Sequence, residues 1–190
     1  MSKEDTKKRI LEAGFTLLEK RSILQLTTAD ICEAADVSSR TFYNYYLDKF
    51  DMAQHIMKML TEDYWKACSR EQNSYEDHFM YYYELVSQHR CFFLNNFCYS
   101  GPNCLYDYMT ELAYEEYQDM ILRSYPAEVL TSEVKLALRF YLYGSLRLMI
   151  DFINGRTPEE DLPYGMDYAA VYTPEILKRF GFGKNPKTDE

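Results

Sequence analysis

The stretch Thr28–Lys49, TADICEAADVSSRTFYNYYLDK, constrains this chain more than any other. It reads as two short helices joined by a tight turn, with the start of a longer third helix behind them. Ile31, Ala34 and Ala35 place apolar side chains on one face of the first helix, and Val37 plugs the angle at the turn. Ser38 is suited to N-cap the second helix, because its hydroxyl can accept an orphan backbone N–H. That helix, Ser39 to about Tyr46, has one clear inward residue, Phe42. Its outward face presents Ser39, Arg40, Thr41, Tyr43, Asn44 and Tyr45, which are hydrogen-bonding side chains around one guanidinium. Such a face suits base edges and phosphate oxygens, as in a helix-turn-helix recognition helix.

The residues Thr28, Ile31, Ala35, Val37, Ser38, Thr41, Phe42, Tyr43, Tyr46, Lys49 and Met52 together resemble the DNA-binding signature of the TetR family of bacterial transcription regulators. The resemblance is strong from about Thr6 to Ile56 and rests on helix pattern beyond it. Two positions depart from the family's usual residues. Asp36 stands where glycine is usual, and aspartate tolerates the left-handed backbone better than most residues. Tyr46 stands where phenylalanine is usual, and its hydroxyl needs a partner or an exposed edge. The resemblance implies that Ser39, Arg40 and Thr41 meet base edges, with Asn44 on the same face. It implies phosphate contacts for Thr28, Tyr43, Tyr45 and Lys49. Arg40 is suited to bidentate readout of guanine, with a phosphate contact as the equal alternative.

A net charge of −9 looks wrong for a DNA binder, but its distribution resolves the conflict. Residues 1–60 carry nine basic and nine acidic side chains, so all the excess acid lies beyond them. Phosphate attraction is then expected from Lys3, Lys7, Lys8, Arg9, Arg40 and Lys49, with modest non-specific affinity. No signal-peptide pattern opens the sequence. The most apolar segment, Leu136–Ile153, is interrupted by Arg139, Arg147 and Asp151, so no membrane span is expected. Five cysteines, without a CxxC pair, fit a reducing cytoplasm better than a disulfide framework.

The rest of the chain reads as all-α. Residues 2–20 form a helix opened by a capping box of Ser2 and Asp5, with Ile10, Gly14, Leu17 and Leu18 inward. Gly14 permits close approach of another helix. Thr27 with Asp30 marks the next helix start. Asp48 N-caps a long helix from Lys49 to about Arg70, on which Met52, Ile56, Met57 and Met59 or Leu60 face the head. Further helices are expected over residues 75–89, 90–99, 104–125, with Leu122 among the apolar positions, and 131–154, with Gly155 as the C-terminal stop. A last short helix is expected over Pro174–Phe180. The expected organisation is a helix-turn-helix domain over residues 1–50, with the connecting helix 49–70 starting in it, and a helical effector-binding and dimerisation domain over 51–190.

On the last long helix Leu138, Leu142, Leu146, Met149 and Ile153 form one stripe, while Phe140, Tyr143, Leu148 and Phe152 cover other sides. A helix apolar on most faces must be buried on most faces, which points to a partner subunit. Gly144 and Ser145 would let two copies approach closely. A homodimer through the Leu138–Ile153 helix and a C-terminal helix is therefore expected. The family resemblance implies a pocket for a small apolar or aromatic effector. Trp65, Phe79, Tyr83, Phe97, Tyr108 and Tyr141 are candidates for its lining, against the plainer alternative that they are core. No catalytic motif appears: His55, His78 and His89 are scattered, and Cys91, Cys98 and Cys104 lack metal-ligand spacing. No enzyme activity, metal or cofactor is expected. The resemblance implies a cytoplasmic, ligand-responsive homodimeric repressor on a palindromic double-stranded operator. The alternative is a co-regulator or activator acting through a protein partner.

Overall fold

The computed structural model describes residues 3–68, 75–97, 101–125, 130–161 and 177, with the side chains at 67–68, 75–79, 124 and 159 excepted. Its helices are α1 (Lys3–Leu18), α2 (Thr28–Ala34), α3 (Ser39–Tyr43), α4 (Lys49–Cys68), α5 (Tyr75–Gln88), α6 (Arg90–Phe97), α7 (Leu105–Ser124) and α8 (Ser132–Ile153), followed by a 3-10 turn at Glu159–Asp161. There is no strand among the described residues. The fold is all-α, with an N-terminal helix-turn-helix and a helical C-terminal region. The expected Ser2 cap and the helix at Pro174–Phe180 lie outside the described residues, apart from the helical and buried Leu177.

The chain divides into two compact units. The first comprises Met1–Glu62 and His89–Met109. Its core gathers Ile10, Leu18, Ile23, Leu26, Ile31, Phe42, Met52, Ile56, Phe92 and Phe93, all buried. Gly14 lets α1 lie close to α4: a Cβ built there would sit 2.6 Å from the Met52 thioether and 3.3 Å from Ile56 Cδ1. Helix α6 packs on α1 through an asparagine pair. Asn96 is fully buried; its Oδ1 accepts from the Ile23 N–H at 2.8 Å, and its Nδ2 donates to the carbonyls of Leu18 at 3.1 Å and Phe92 at 2.8 Å. Asn95 Nδ2 donates to the Glu19 carbonyl at 2.9 Å. The bonds to Leu18 and Glu19 satisfy carbonyls that the end of α1 cannot satisfy internally. The ring of Phe15 adds tilted and edge contacts to Phe92 and His89.

The second unit comprises Asp63–Gln88 and Thr110–Glu190. Tyr64, Tyr82, Val86, Ala113, Tyr114, Tyr117 and Ile121 are buried in it, together with the whole expected α8 stripe of Leu138, Leu142, Leu146, Met149 and Ile153. Arg139 fastens α8 to α7, bonding Glu111 through both carboxylate oxygens and lying 3.9 Å from the Tyr114 ring centroid. Thr131 N-caps α8 through the Val134 N–H, and Gly155, at φ +69, follows its C-cap Asn154. Among the described residues no helix is long and apolar enough to cross a membrane.

Two inward positions turn out otherwise, and one alternative is decided. Ala34 is exposed, because the buried face of α2 is set by Ile31, Cys32 and Ala35, and residue 34 lies about 100° around the helix from it. Leu122 is exposed for the same reason, one position beyond buried Ile121. Met59 is exposed while Leu60 is half-buried, which decides between the two.

Candidate nucleic-acid interface

The helix-turn-helix is built from caps. Thr27 and Asp30 form a capping box at the start of α2, and the hydrogen bonds from Thr27 hold the Asp30 carboxyl below the usual range. Asp36 adopts φ +49 at the turn, the left-handed backbone in which glycine is most at ease. Ser38 Oγ accepts from the Thr41 N–H at 3.1 Å and starts α3. Asn44 is the C-cap, so α3 is shorter than expected, with Tyr45 in the turn that follows and Tyr46 just beyond it. Asp48 Oδ1 then accepts from the N–H groups of Phe50 and Asp51, each at 2.8 Å, and begins α4 as expected.

Phe42 is fully buried under α3, and what remains outside is a polar face. Ser39, Arg40 and Asn44 are exposed, Tyr43 is 57% exposed, and Thr41 and Tyr45 are half-buried. The Arg40 side chain makes no hydrogen bond or ion pair among the described residues, so its guanidinium is available to a ligand. Thr28 is half-buried in the first turn of α2.

Two cations expected at phosphates are engaged inside the unit. Lys49 Nζ donates to the Leu26 carbonyl at 2.7 Å and lies 5.3 Å from the Phe50 ring centroid. Arg9 Nη2 donates to the carbonyls of Ala35 and Asp36, the latter at 2.7 Å, closing the end of α2 against α1. One residue outside the expected face stands out: Leu47 is 84% exposed between α3 and α4. An apolar side chain in a turn was the available signal for it.

Residues 10–56 match the family model "Bacterial regulatory proteins, tetR family". These residues form a TetR-type helix-turn-helix head. Solved structures agree in fold along nearly the whole chain. A TetR transcriptional regulator from Rhodococcus sp. RHA1 superposes with a TM-score of 0.68 at 14% identity, over 93% of this chain and 100% of that one. A tetR-family transcriptional regulator from Streptomyces coelicolor does so with a TM-score of 0.63 at 15% identity, over 94% of this chain and 87% of that one. The dihydroxyacetone kinase operon activator DhaS gives 0.53 at 13% identity, over 88% and 96%. No curated protein sequence matches the chain.

Of the effector residues expected from the TetR resemblance, Phe97 and Tyr108 fall in the first unit, while Trp65, Tyr83 and Tyr141 fall in the second. The Phe79 side chain lies outside the described residues. Trp65 packs edge-on against Tyr64 and Tyr117, with centroids 4.5 and 5.6 Å away. The hydroxyls of Tyr64 and Tyr117 meet at 3.2 Å, and Tyr82 lies 5.6 Å from Tyr64. Phe97 packs on Phe93 and Tyr106. Cys91 is exposed and Cys104 buried, while Cys98 lies outside the described residues.

Proposed function

We propose that this TetR-family regulator is a ligand-responsive homodimeric repressor that reads a near-palindromic operator with α3. The observation that carries the reading is the polar face of α3, exposed around an uncommitted Arg40 and held over buried Phe42. Ser39, Arg40, Thr41 and Asn44 meet base edges, and Thr28, Tyr43 and Tyr45 donate to phosphates. Two copies present their α3 helices to successive major grooves, roughly 34–36 Å apart.

Homodimerisation is supported by α8. Its inner stripe is consumed within the second unit, but Leu136 is 70%, Phe140 78% and Tyr143 45% exposed on another side. These residues recur at i, i+4 and i+7, so they form one stripe. Exposed Gly144 beside them has no atom within 4 Å of a built Cβ, which leaves room for a second helix. A small apolar or aromatic effector, bound among the aromatic side chains around Trp65, changes the course of α4. That helix contributes residues 49–62 to one unit and 63–68 to the other. The effector releases DNA to the extent that it prefers the releasing state.

The test is selection of duplexes from a random pool, followed by gel shift of wild type and Arg40→Ala on the selected and on scrambled sequences. Loss confined to the selected duplex supports base readout. Equal loss on both assigns Arg40 to phosphate, and no enrichment sinks the reading. A reporter whose output falls with the regulator and recovers with an aromatic compound supports the repressor; rising output would favour an activator.

A further inference from the structure

The charges of the reading motif are the reverse of what a phosphate-driven binder needs. Residues 27–51 hold two cations, Arg40 and Lys49, and five carboxylates, Asp30, Glu33, Asp36, Asp48 and Asp51. Lys49 is turned onto the Leu26 and Leu24 carbonyls, at 2.7 and 3.5 Å. Three of the carboxylates serve backbone N–H groups: Asp30 at Thr27, Asp48 at Phe50 and Asp51, and Asp51 at Leu47. Glu33 and Asp36 remain exposed, one on α2 and one at the turn. Outside the motif, Arg9 is held on the Ala35 and Asp36 carbonyls, Arg21 pairs with Asp30 at 3.4 Å, and Lys8 pairs with Glu12 at 3.7 Å. Lys3 and Lys7 share the start of α1 with Glu4 and Asp5.

From this distribution, and resting on the DNA-binding reading above, we infer that the head grips duplex DNA chiefly through neutral donors and one guanidinium per protomer, so that its affinity depends little on salt. Lys49 and Arg9 are positioning residues that clamp the motif from behind. The neutral donors are the hydroxyls of Ser39, Thr41, Tyr43 and Tyr45 and the Asn44 amide. Counterion release scales with the number of phosphates neutralised, with a slope of about −0.9 per contact in log K against log salt. One Arg40 in each of two protomers gives a slope of about −2, where six to ten contacts would give about −5 to −9. The exposed carboxylates add repulsion toward any phosphate they approach, which lowers affinity for random DNA and widens the margin for the right sequence.

The experiment is a titration of the full-length protein with a selected duplex between 50 and 200 mM KCl, with a random-sequence duplex of the same length beside it. The expected loss on the selected duplex is about tenfold. A loss beyond about a hundredfold overturns the inference while leaving DNA recognition intact. Failure to enrich any duplex at 50 mM KCl removes the DNA-binding reading itself. Lys49→Met and Arg9→Met form the second arm. As clamps they lower the thermal midpoint and leave the salt slope unchanged. A slope shallower by about two in either variant would mark the missing cation as a phosphate contact. If a variant does not fold, the wild-type titration alone decides.

Discussion

Arg9 Nη2, on the first helix, lies 2.7 Å from the carbonyl oxygen of Asp36, the residue that carries the positive φ of the reading motif's turn. One guanidinium thereby joins α1 to the corner that sets the angle between α2 and α3. Removing it leaves the carbonyls at the end of α2 without their charged donor. Arg9→Ala is expected to lower stability by about 1.5–3 kcal/mol, the usual range for a hydrogen bond to a charged group. Chemical denaturation measures it; a change under about 0.5 kcal/mol would mean that the clamp contributes nothing.

Tyr46 is buried, and its hydroxyl has no hydrogen-bond partner among the described residues. Tyr46→Phe removes an orphaned polar group and keeps the ring, which packs edge-on to His55 at 5.2 Å. The variant is expected to be more stable by about 1 kcal/mol, at the low end of the penalty for an unpaired buried group. Alkaline pH gives a second readout. Burial, together with Asp51, Glu4 and Tyr45, pushes the Tyr46 hydroxyl well above its ordinary value of 10.0. The unfolded chain therefore loses this proton first, and the wild type loses stability as pH rises past about 10. Denaturation followed from pH 8 to pH 11 should show the variant's advantage growing; a constant or shrinking advantage would contradict the burial argument.

Asn96 answers three backbone groups at once. Asn96→Asp keeps the acceptor for the Ile23 N–H but turns a second carboxylate oxygen toward the Leu18 and Phe92 carbonyls. A loss of about 3 kcal/mol or more is expected at neutral pH, since a buried charge then faces acceptors. The loss should diminish in acid, where a protonated carboxyl can donate again, and melting at pH 7 and pH 4.5 measures the difference. Equal losses at both pH values would show that the Nδ2 bonds carry little.

The stripe on α8 offers a substitution that leaves the protomer's own core alone. Leu136 and Phe140 are exposed, so Phe140→Asp is expected to leave the helical content unchanged while converting a dimer to a monomer. Sedimentation equilibrium reads it directly. A wild type that is monomeric at micromolar concentration, or a variant that stays dimeric, would exclude this stripe as the contact.

Much of this was legible in the sequence because it is local. Helix starts at Thr27, Ser38, Asp48 and Thr131 follow from capping residues a few positions ahead of apolar periodicity, and Asp36 takes the backbone that its position required. The outward face of α3 could be read because Phe42 alone is apolar there. The hydrogen bonds that Arg9, Lys49 and Asn96 make could not be read. Each answers backbone carbonyls or N–H groups 23 to 78 residues away, and a backbone group leaves no mark on composition. A lysine near a recognition helix looks like a phosphate contact whichever way it points. Both sides of α8 looked apolar; only the fold distinguishes the stripe it buries from the stripe it leaves open.

In the proposed complex α3, presented twice, enters adjacent major grooves. Hydroxyl-radical footprinting of the protein on a selected duplex tests it most directly. The expected result is two protected patches related by a two-fold axis and separated by about 10–10.5 base pairs or a multiple of that spacing, lost together in Phe140→Asp at limiting protein. A single asymmetric patch, or protection unaffected by substitution of Arg40 and Tyr43, would contradict it.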